Sequence, residues 1–242
     1  MRVAVLSDIH ANLHALEAVL AAVAEEGVDE IWCLGDVVGY GPRPNECCDL
    51  VRDRAAFSLC GNHDLAVIER LPLADFSGDA GAAAVWTQAQ LGDAQRAWLG
   101  TLAPLGQRAG VQLFHASPRD PVWDYVLSEG AAIASLRLTT ARTVLVGHSH
   151  IALALAWDGS ALVGGLAPAG TAPDPGDRRW LFNPGSVGQP RDGDPRAAWL
   201  LIDSDTGRAA FRRVAYDVQR TQDEIREAGL PPGLAARLAR GQ

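Results

Sequence analysis

Val3-Ala4-Val5-Leu6-Ser7-Asp8-Ile9-His10 is the stretch on which the reading of the chain turns. Four apolar residues run straight into a carboxylate and an imidazole. A continuous apolar run that ends in polar chemistry predicts a strand buried on both faces. Downstream, Leu13, Leu16, Leu20 and Val23 recur at helical spacing, and Gly27 supplies the stop signal. A second apolar run, 31–34, ends at Gly35-Asp36. Strand, helix and strand at this spacing predict a βαβ unit with a parallel pair.

The pattern then recurs. A short strand at 56–60 ends at Gly61-Asn62-His63-Asp64, one at 111–114 ends at His115, and one at 143–146 ends at Gly147-His148-Ser149-His150. Five of the 6 histidines stand in these strand-end segments, so packing alone does not account for them. In open α/β sheets ligands bind at the carboxyl ends of strands, which predicts one shared site. Neutral imidazoles, carboxylates and one amide oxygen are ligands for a borderline divalent metal, and there are too many for one ion. Asp8 and His10 are two apart, as are His148 and His150; in an extended segment that spacing puts both side chains on one face. Asp36 is the natural bridge between two ions, because a carboxylate has two oxygens. Asn62 adds a neutral oxygen and His115 a further nitrogen. His63, beside a ligand yet not needed for coordination, is a candidate general acid. Asp64 either holds its tautomer or caps a helix.

Composition narrows the function. The chain has 242 residues, 48% hydrophobic, and a formal net charge of -8, which speaks against a groove for duplex DNA. All 21 basic residues are arginine, which removes Schiff-base lysine chemistry and a phosphate-loop lysine. Cys33, Cys47, Cys48 and Cys60 form no metal-spacing pair and read as small buried hydrophobes. Asp8 follows one short apolar run, too early for a signal peptide, and no stretch approaches the ~20 apolar residues of a membrane helix. The expectation is a cytoplasmic protein without a membrane partner.

Elsewhere, residues 65–105 read as a helical insertion in a single domain spanning 1–242. Within it, helices at 80–91 and 93–102 form a pair packed by Trp86 and Trp98, with Asp93 as N-cap. Asn45 is read as the cap of a helix at 46–54, and 128–138 as helical. Segments 152–157, 161–163, 180–182, 198–202 and 209–214 suggest a second, mostly antiparallel sheet. The Pro- and Gly-rich loop 168–177 and the loop around Tyr40 are expected to wall the site. A helix at 218–228 precedes a weakly structured tail from Pro231.

Asp8-x-His10, Gly35-Asp36, Gly61-Asn62-His63-Asp64, His115 and Gly147-His148-x-His150, in that order, resemble the calcineurin-like metallophosphoesterase superfamily. Ser7-Asp8-Ile9-His10-Ala11-Asn12 and Asn183-Pro184-Gly185-Ser186-Val187-Gly188 resemble its bacterial branch related to diadenosine tetraphosphatases and small phosphodiesterases. The resemblance implies an α/β fold: a four-layer αββα sandwich of two mixed sheets flanked by helices. It implies two divalent transition-metal ions, Mn²⁺ first, with Fe, Zn or Ni as alternatives. Asp8, His10, Asp36 and His150 would hold one ion; Asp36, Asn62, His115 and His148 would hold the other. His63 would assist the leaving group and Asp64 would support it. The implied reaction is hydrolysis of a phosphodiester or nucleotide phosphoanhydride by a hydroxide that two ions activate. The implied partner is a small phosphoester or nucleotide.

In the protein Ser/Thr phosphatase branch, the Gly-Asp motif continues to a phosphate-gripping arginine. Here the sequence runs Gly35-Asp36-Val37-Val38-Gly39-Tyr40-Gly41, which speaks against protein phosphatase activity. Arg119 and Arg191 are candidate substitutes, each set against a plain surface arginine. Asn12 and Tyr40 are further candidate substrate contacts. Segment 183–188 either presents backbone N–H groups to phosphate or is a structural turn. The rival of another class is a binding scaffold with this fold and no catalysis, which should lack ligands that are all present here.

Overall fold

The computed structural model describes residues 1–242. The chain runs β1 (Arg2–Leu6), α1 (Leu13–Glu26), β2 (Glu30–Cys33), α2 (Pro44–Arg54), β3 (Phe57–Ser58), α3 (Asn62–Val67), α4 (Gly78–Gln90) and α5 (Asp93–Leu99). It continues through β4 (Leu105–Arg108), β5 (Val111–Phe114), α6 (Glu129–Arg137), β6 (Thr143–Leu145), β7 (Ala152–Trp157), β8 (Leu162–Leu166) and β9 (Arg179–Pro184). It closes with β10 (Ala197–Asp203), β11 (Ala209–Val214), α7 (Val218–Glu227) and α8 (Pro232–Leu238).

Two mixed sheets result. One is five-stranded, ordered β11-β10-β1-β2-β3, and the other six-stranded, ordered β4-β5-β6-β9-β7-β8. Along β1 the side chains alternate between two apolar environments. Val3 and Val5 meet Leu113, Leu145 and Phe182 in the core between the sheets, while Ala4 and Leu6 meet Ala15, Leu16 and Val19 of α1. The outer face of the second sheet is covered by α6 through Ala132 and Leu136. Helix, sheet, sheet and helix form the expected four layers, and β1–β2–β3 and β5–β6–β9 are each parallel sets.

Several expectations need correction. β10 and β11 join the first sheet, β10 pairing antiparallel with β1, so the second sheet is mixed rather than mostly antiparallel. A strand pattern specifies alternation, not partner, and the partner is chosen by tertiary packing. Asn45 caps nothing: its side chain bonds Gln90 O and Gly92 N, tying α2 to the turn before α5. Gly92, not Asp93, stands at the N-cap of α5. Trp98 packs on the helical side of the first sheet and Trp86 on the C-terminal helices, so they do not pack one pair. The loop 168–177 lies away from the strand-end turns. Pro175 O accepts from Trp180 Nε1 at 2.9 Å, Gly176 O accepts from Arg142, and Phe211 O accepts from Gly170 N. Arg142 precedes β6, at the opposite end of that strand from His148.

The tail from Pro231 is ordered. Pro232 starts α8 at a position where its missing N–H costs nothing. Leu234, Ala235 and Leu238 then pack on Ile225 of α7 and Ala83 of α4, with Tyr40 and Trp86 against the cluster. Glu224 clasps α7 to the body, accepting from Arg43 Nε at 2.9 Å and from His14 Nε2 at 3.0 Å. The Arg43 hydrogen bond, and after it His14, hold the Glu224 carboxyl down at about 2 against the opposing effect of burial. Its folded pKa lies below the ~4.3 of an unfolded glutamate. The clasp therefore stabilises fully above about pH 4.5 and is lost as pH falls through about 2. Melts of wild type and Glu224→Gln from pH 7 to 2.5 should show a gap that is constant above pH 4.5 and narrows below it. A gap independent of pH would exclude the clasp.

No helix is long and apolar enough to cross a membrane, and all four cysteines are free and buried.

Candidate metal centre

The carboxyl ends of both parallel strand sets meet at one pole. Gly188 N donates to Asp8 O and Val187 N to Ser7 O, while Gly147 N donates to His115 O. Asp8 and His10 follow β1, Asp36 follows β2, Asn62 opens α3, His115 follows β5, and His148 and His150 follow β6. None of the seven is more than 5% exposed, against the usual placement of such residues.

The backbone that presents them is not extended. Seven of the nine non-glycine residues with positive φ belong to these turns: Asp8, His10, Ala11, Asp36, Tyr40, His148 and His150. Left-handed residues cost on the order of 1–3 kcal/mol each, and such strain collects where a site needs it. The same-face rule for extended residues thus fails for His148 and His150, which separate into two clusters. Asp8, His10 and His150 form one set of ligand atoms within 4.8 Å of one another, and Asp36, His115 and His148 form another. Asp36 Oδ2 lies 3.6 Å from both His10 Nε2 and His115 Nε2, so one carboxylate faces both sets. Asn62 Oδ1 is 3.3 Å from His115 Nε2. Gly61 is required here, because a Cβ on it would overlap the Asp36 carboxylate and the His115 ring.

The rings are oriented from behind. Nδ1 of His10, His115 and His150 lies 3.1, 2.9 and 2.6 Å from the carbonyls of Val38, Leu34 and Gln189. Each Nδ1 must therefore carry the proton, which leaves Nε2 a bare lone pair aimed inward. His10 Nε2 and His150 Nε2 face each other at 3.0 Å. Two lone pairs at that distance repel unless a cation lies between them. Asp8 Oδ1 and His148 Nε2 are buried with no hydrogen-bond partner. Burial, with the neighbouring Asp36 charge adding to it, pushes Asp8 up to about 7 although His115 opposes the shift. Burial and then Asp64 push Asp36 well above the ordinary carboxylate range. Burial drops His148 to about 2 and His63 to about 3, and lowers His10 and His150 well below the usual imidazole value. Neutral imidazoles and carboxylates short of positive charge are a donor set that fits divalent cations.

The other predicted residues divide. The His63 ring lies tilted at 4.5 Å from Tyr40 and edge-on at 5.0 Å from His10, and its backbone N–H donates to Asp36 Oδ1. A Cβ on Gly39 would stand 2.6 Å from His63 Nδ1, so only glycine leaves room for the ring. Asp64 does not hold the His63 tautomer. Its carboxylate accepts from the backbone N–H groups of Val37, Val38 and Gly61, and His63 Nδ1 has no partner. Asp64 is thus the cap of α3 and the anchor of the Asp36 turn. Asn12 is also structural: it accepts from Ala15 N and Thr221 Oγ1 and donates to Gly188 O and Tyr216, which leaves nothing for substrate. Arg119 pairs with Asp124 in the loop after His115. Arg191 stands at the centre, its Nη2 donating to Gln189 Oε1 at 2.9 Å and lying 3.4 Å from Tyr40 Oη, and its charge lowers His10, His63, His148 and His150. Segment 183–188 is a structural turn whose N–H groups serve Ser7 O, Asp8 O and Asn183 Oδ1.

The sequence reading missed three aromatic residues at the rim. Tyr125 stacks on His148 at 4.1 Å, Phe76 packs on His63 at 4.9 Å, and Trp123 packs on Phe76 at 5.3 Å. They lie in irregular segments without periodicity, so no pattern singled them out. A cleft of about 530 Å³ opens under Val126, Ile151 and β8, and no predicted site residue lines it.

The model of the calcineurin-like phosphoesterase superfamily domain matches residues 1–207. The chain belongs to this superfamily. A metallophosphoesterase from Sphaerobacter thermophilus of known crystal structure is 42% identical, with a TM-score of 0.91 over 100% of this chain and 99% of that one. An uncharacterized protein of Methanocaldococcus jannaschii is 35% identical over 99% of this chain and 98% of its own length. A hypothetical protein from Pyrococcus horikoshii shares the fold at 22% identity, with a TM-score of 0.81 over 100% of this chain and 98% of that one. As a calcineurin-like phosphoesterase, the chain is a metal-dependent hydrolase with His and Asp groups suited to divalent ions. The superfamily model ends before α7 and α8, whereas the Sphaerobacter match runs the full length.

Proposed function

We propose that this phosphoesterase hydrolyses a phosphodiester or a nucleotide phosphoanhydride at a two-ion centre. The observation that carries the proposal is the shared Asp36 carboxylate, whose Oδ2 is equidistant from a histidine of each cluster. Asp8, His10, Asp36 and His150 would hold one ion, and Asp36, Asn62, His115 and His148 the other. Bound there, the pair would polarise phosphoryl oxygens and lower the pKa of water, the usual contribution of two-metal sites.

The chain's own groups supply the rest. Arg191 Nε is buried without a partner and is free to donate to a phosphoryl oxygen. Nη2 of the same guanidinium is already committed to Gln189, so the side-on fork is half used. A monoester dianion gains most from a complete fork, whereas a singly charged diester needs less. His63, neutral near pH 7, donates its ring N–H to the departing oxygen. Tyr40 holds His63 on one side and Arg191 on the other.

The test compares bis-p-nitrophenyl phosphate, p-nitrophenyl phosphate, a dinucleoside tetraphosphate and a phosphoserine peptide with Mn²⁺ present. The diester or the anhydride should have the highest kcat/KM, and a preference for the phosphopeptide overturns the proposal. Arg191→Ala should lower kcat/KM for the preferred substrate roughly 10- to 100-fold, the range of a hydrogen bond to a charged group.

A further inference from the structure

Three partly exposed aromatic residues flank a centre that is otherwise polar and buried. They form two arms. Phe76 packs edge-on against His63, with Trp123 tilted against it. Tyr125, 44% exposed, lies nearly parallel to the His148 ring, with 20° between their planes. Both arms root on imidazoles of the same centre.

The loop that carries Trp123 and Tyr125 is held rigid by its own polar groups. Ser117 Oγ accepts from Arg119 N at 3.0 Å and Asp120 N at 3.3 Å, and it donates to Asp124. Asp120 Oδ1 accepts from Val122 N at 2.9 Å and Trp123 N at 3.2 Å. Asp124, between the two aromatic residues, is also clamped by Arg119. Rings presented on a rigid loop lose little entropy when they bind. These bonds also show what Arg119 does: it positions the aromatic loop.

We propose that Phe76, Trp123 and Tyr125 form a stacking clamp for the base of a nucleoside phosphate whose phosphorus lies at the metal centre. The proposal rests on the phosphoesterase reading above and adds the substrate class. A planar base matches flat, partly wetted rings, and every base offers a π-face, so discrimination among bases should be weak. An aliphatic group of the same charge gains nothing from the rings beyond burial.

The experiment measures binding of adenosine 5′-monophosphate and ribose 5-phosphate to the Mn²⁺-loaded full chain by calorimetry. The two share phosphate and sugar and differ in the base. Wild type should bind the nucleotide more tightly, roughly 5- to 100-fold, the range of one base stacked on an aromatic side chain. Trp123→Leu and Phe76→Leu should each bring that ratio toward unity in proteins whose melting curves stay cooperative. Equal affinities in wild type overturn the clamp, as does a ratio that neither variant changes. Absence of binding by both ligands overturns it too. Hydrolysis of bis-p-nitrophenyl phosphate by the same preparation then shows whether the phosphoesterase reading has failed with it. Active enzyme that binds both ligands equally means that the rings only shield the metals.

Discussion

Asp36→Asn should lose both metal ions and, with them, nearly all turnover. The residue is the one carboxylate whose oxygen lies 3.6 Å from a histidine of each cluster, and its second oxygen accepts the His63 backbone N–H. Asparagine keeps an oxygen for that N–H but removes the charge that a bridging position needs. Losing an outer-shell partner already costs roughly 10–100-fold in metal affinity, and loss of a ligand shared by two ions should exceed that. Elemental analysis after dialysis against Mn²⁺, with turnover of bis-p-nitrophenyl phosphate, checks the expectation. Unaltered metal content would refute the two-ion assignment. The same variant should respond oppositely without metal. Burial and Asp64 raise Asp36 well above the ordinary range, so the metal-free fold carries a cost that asparagine removes. Metal-free Asp36→Asn should melt no lower than metal-free wild type, while the wild type alone should gain stability when Mn²⁺ is added. For a ligand at 100 times its Kd that gain is about 2.7 kcal/mol.

His63→Gln should retain both ions and still lose turnover, by ~10²–10³-fold, the range for loss of one placed hydrogen-bond donor to a developing charge. His63 is 4% exposed and rests between Tyr40 and Phe76. It belongs to a third set of potential ligands, with His10 and Asp36, which makes the metal measurement decisive. Metal loss in His63→Gln would move the residue into the coordination set. A departing oxygen that is already stable needs little help, so the deficit should be large for alkyl leaving groups and small for p-nitrophenolate. An equal deficit for both would assign His63 to binding or orientation instead. The expectation does not depend on Asp64, whose carboxylate is spent on the backbone of Val37, Val38 and Gly61.

Much of this centre could be read along the chain because each strand that feeds it announces its own end. Val3 to Leu6 is apolar on both faces and then breaks to Asp8, and the same break precedes Asp36, Asn62, His115 and His148. A buried parallel strand has no other way to reach solvent or a ligand than through the turn at its end. Which side of the centre each residue serves could not be read in that way. His148 and His150 share a spacing but not a cluster, whereas Asp8 and His10, with the same spacing and the same left-handed backbone, do share one. Asn12 and Arg119 looked like substrate contacts by proximity in sequence. Their polar atoms are taken by Gly188, Thr221 and Asp124, partners far away or hidden in a loop.

Local order in the sequence determined the parallel β1–β2 pair, the strand-end ligands and the acidic, lysine-free character of the chain. These depend on residue type and on neighbours within a few positions, where periodicity and backbone preference act. Tertiary structure alone decided that β10 returns to pair with β1, and that α8 closes over Tyr40. It also decided that Arg191 rather than Arg119 stands at the centre, and that Phe76 and Trp123 meet above His63. Each of these joins residues separated by tens to hundreds of positions. Their contact energy is shared across the assembled core and appears only once both sheets have packed, so no local pattern carries it.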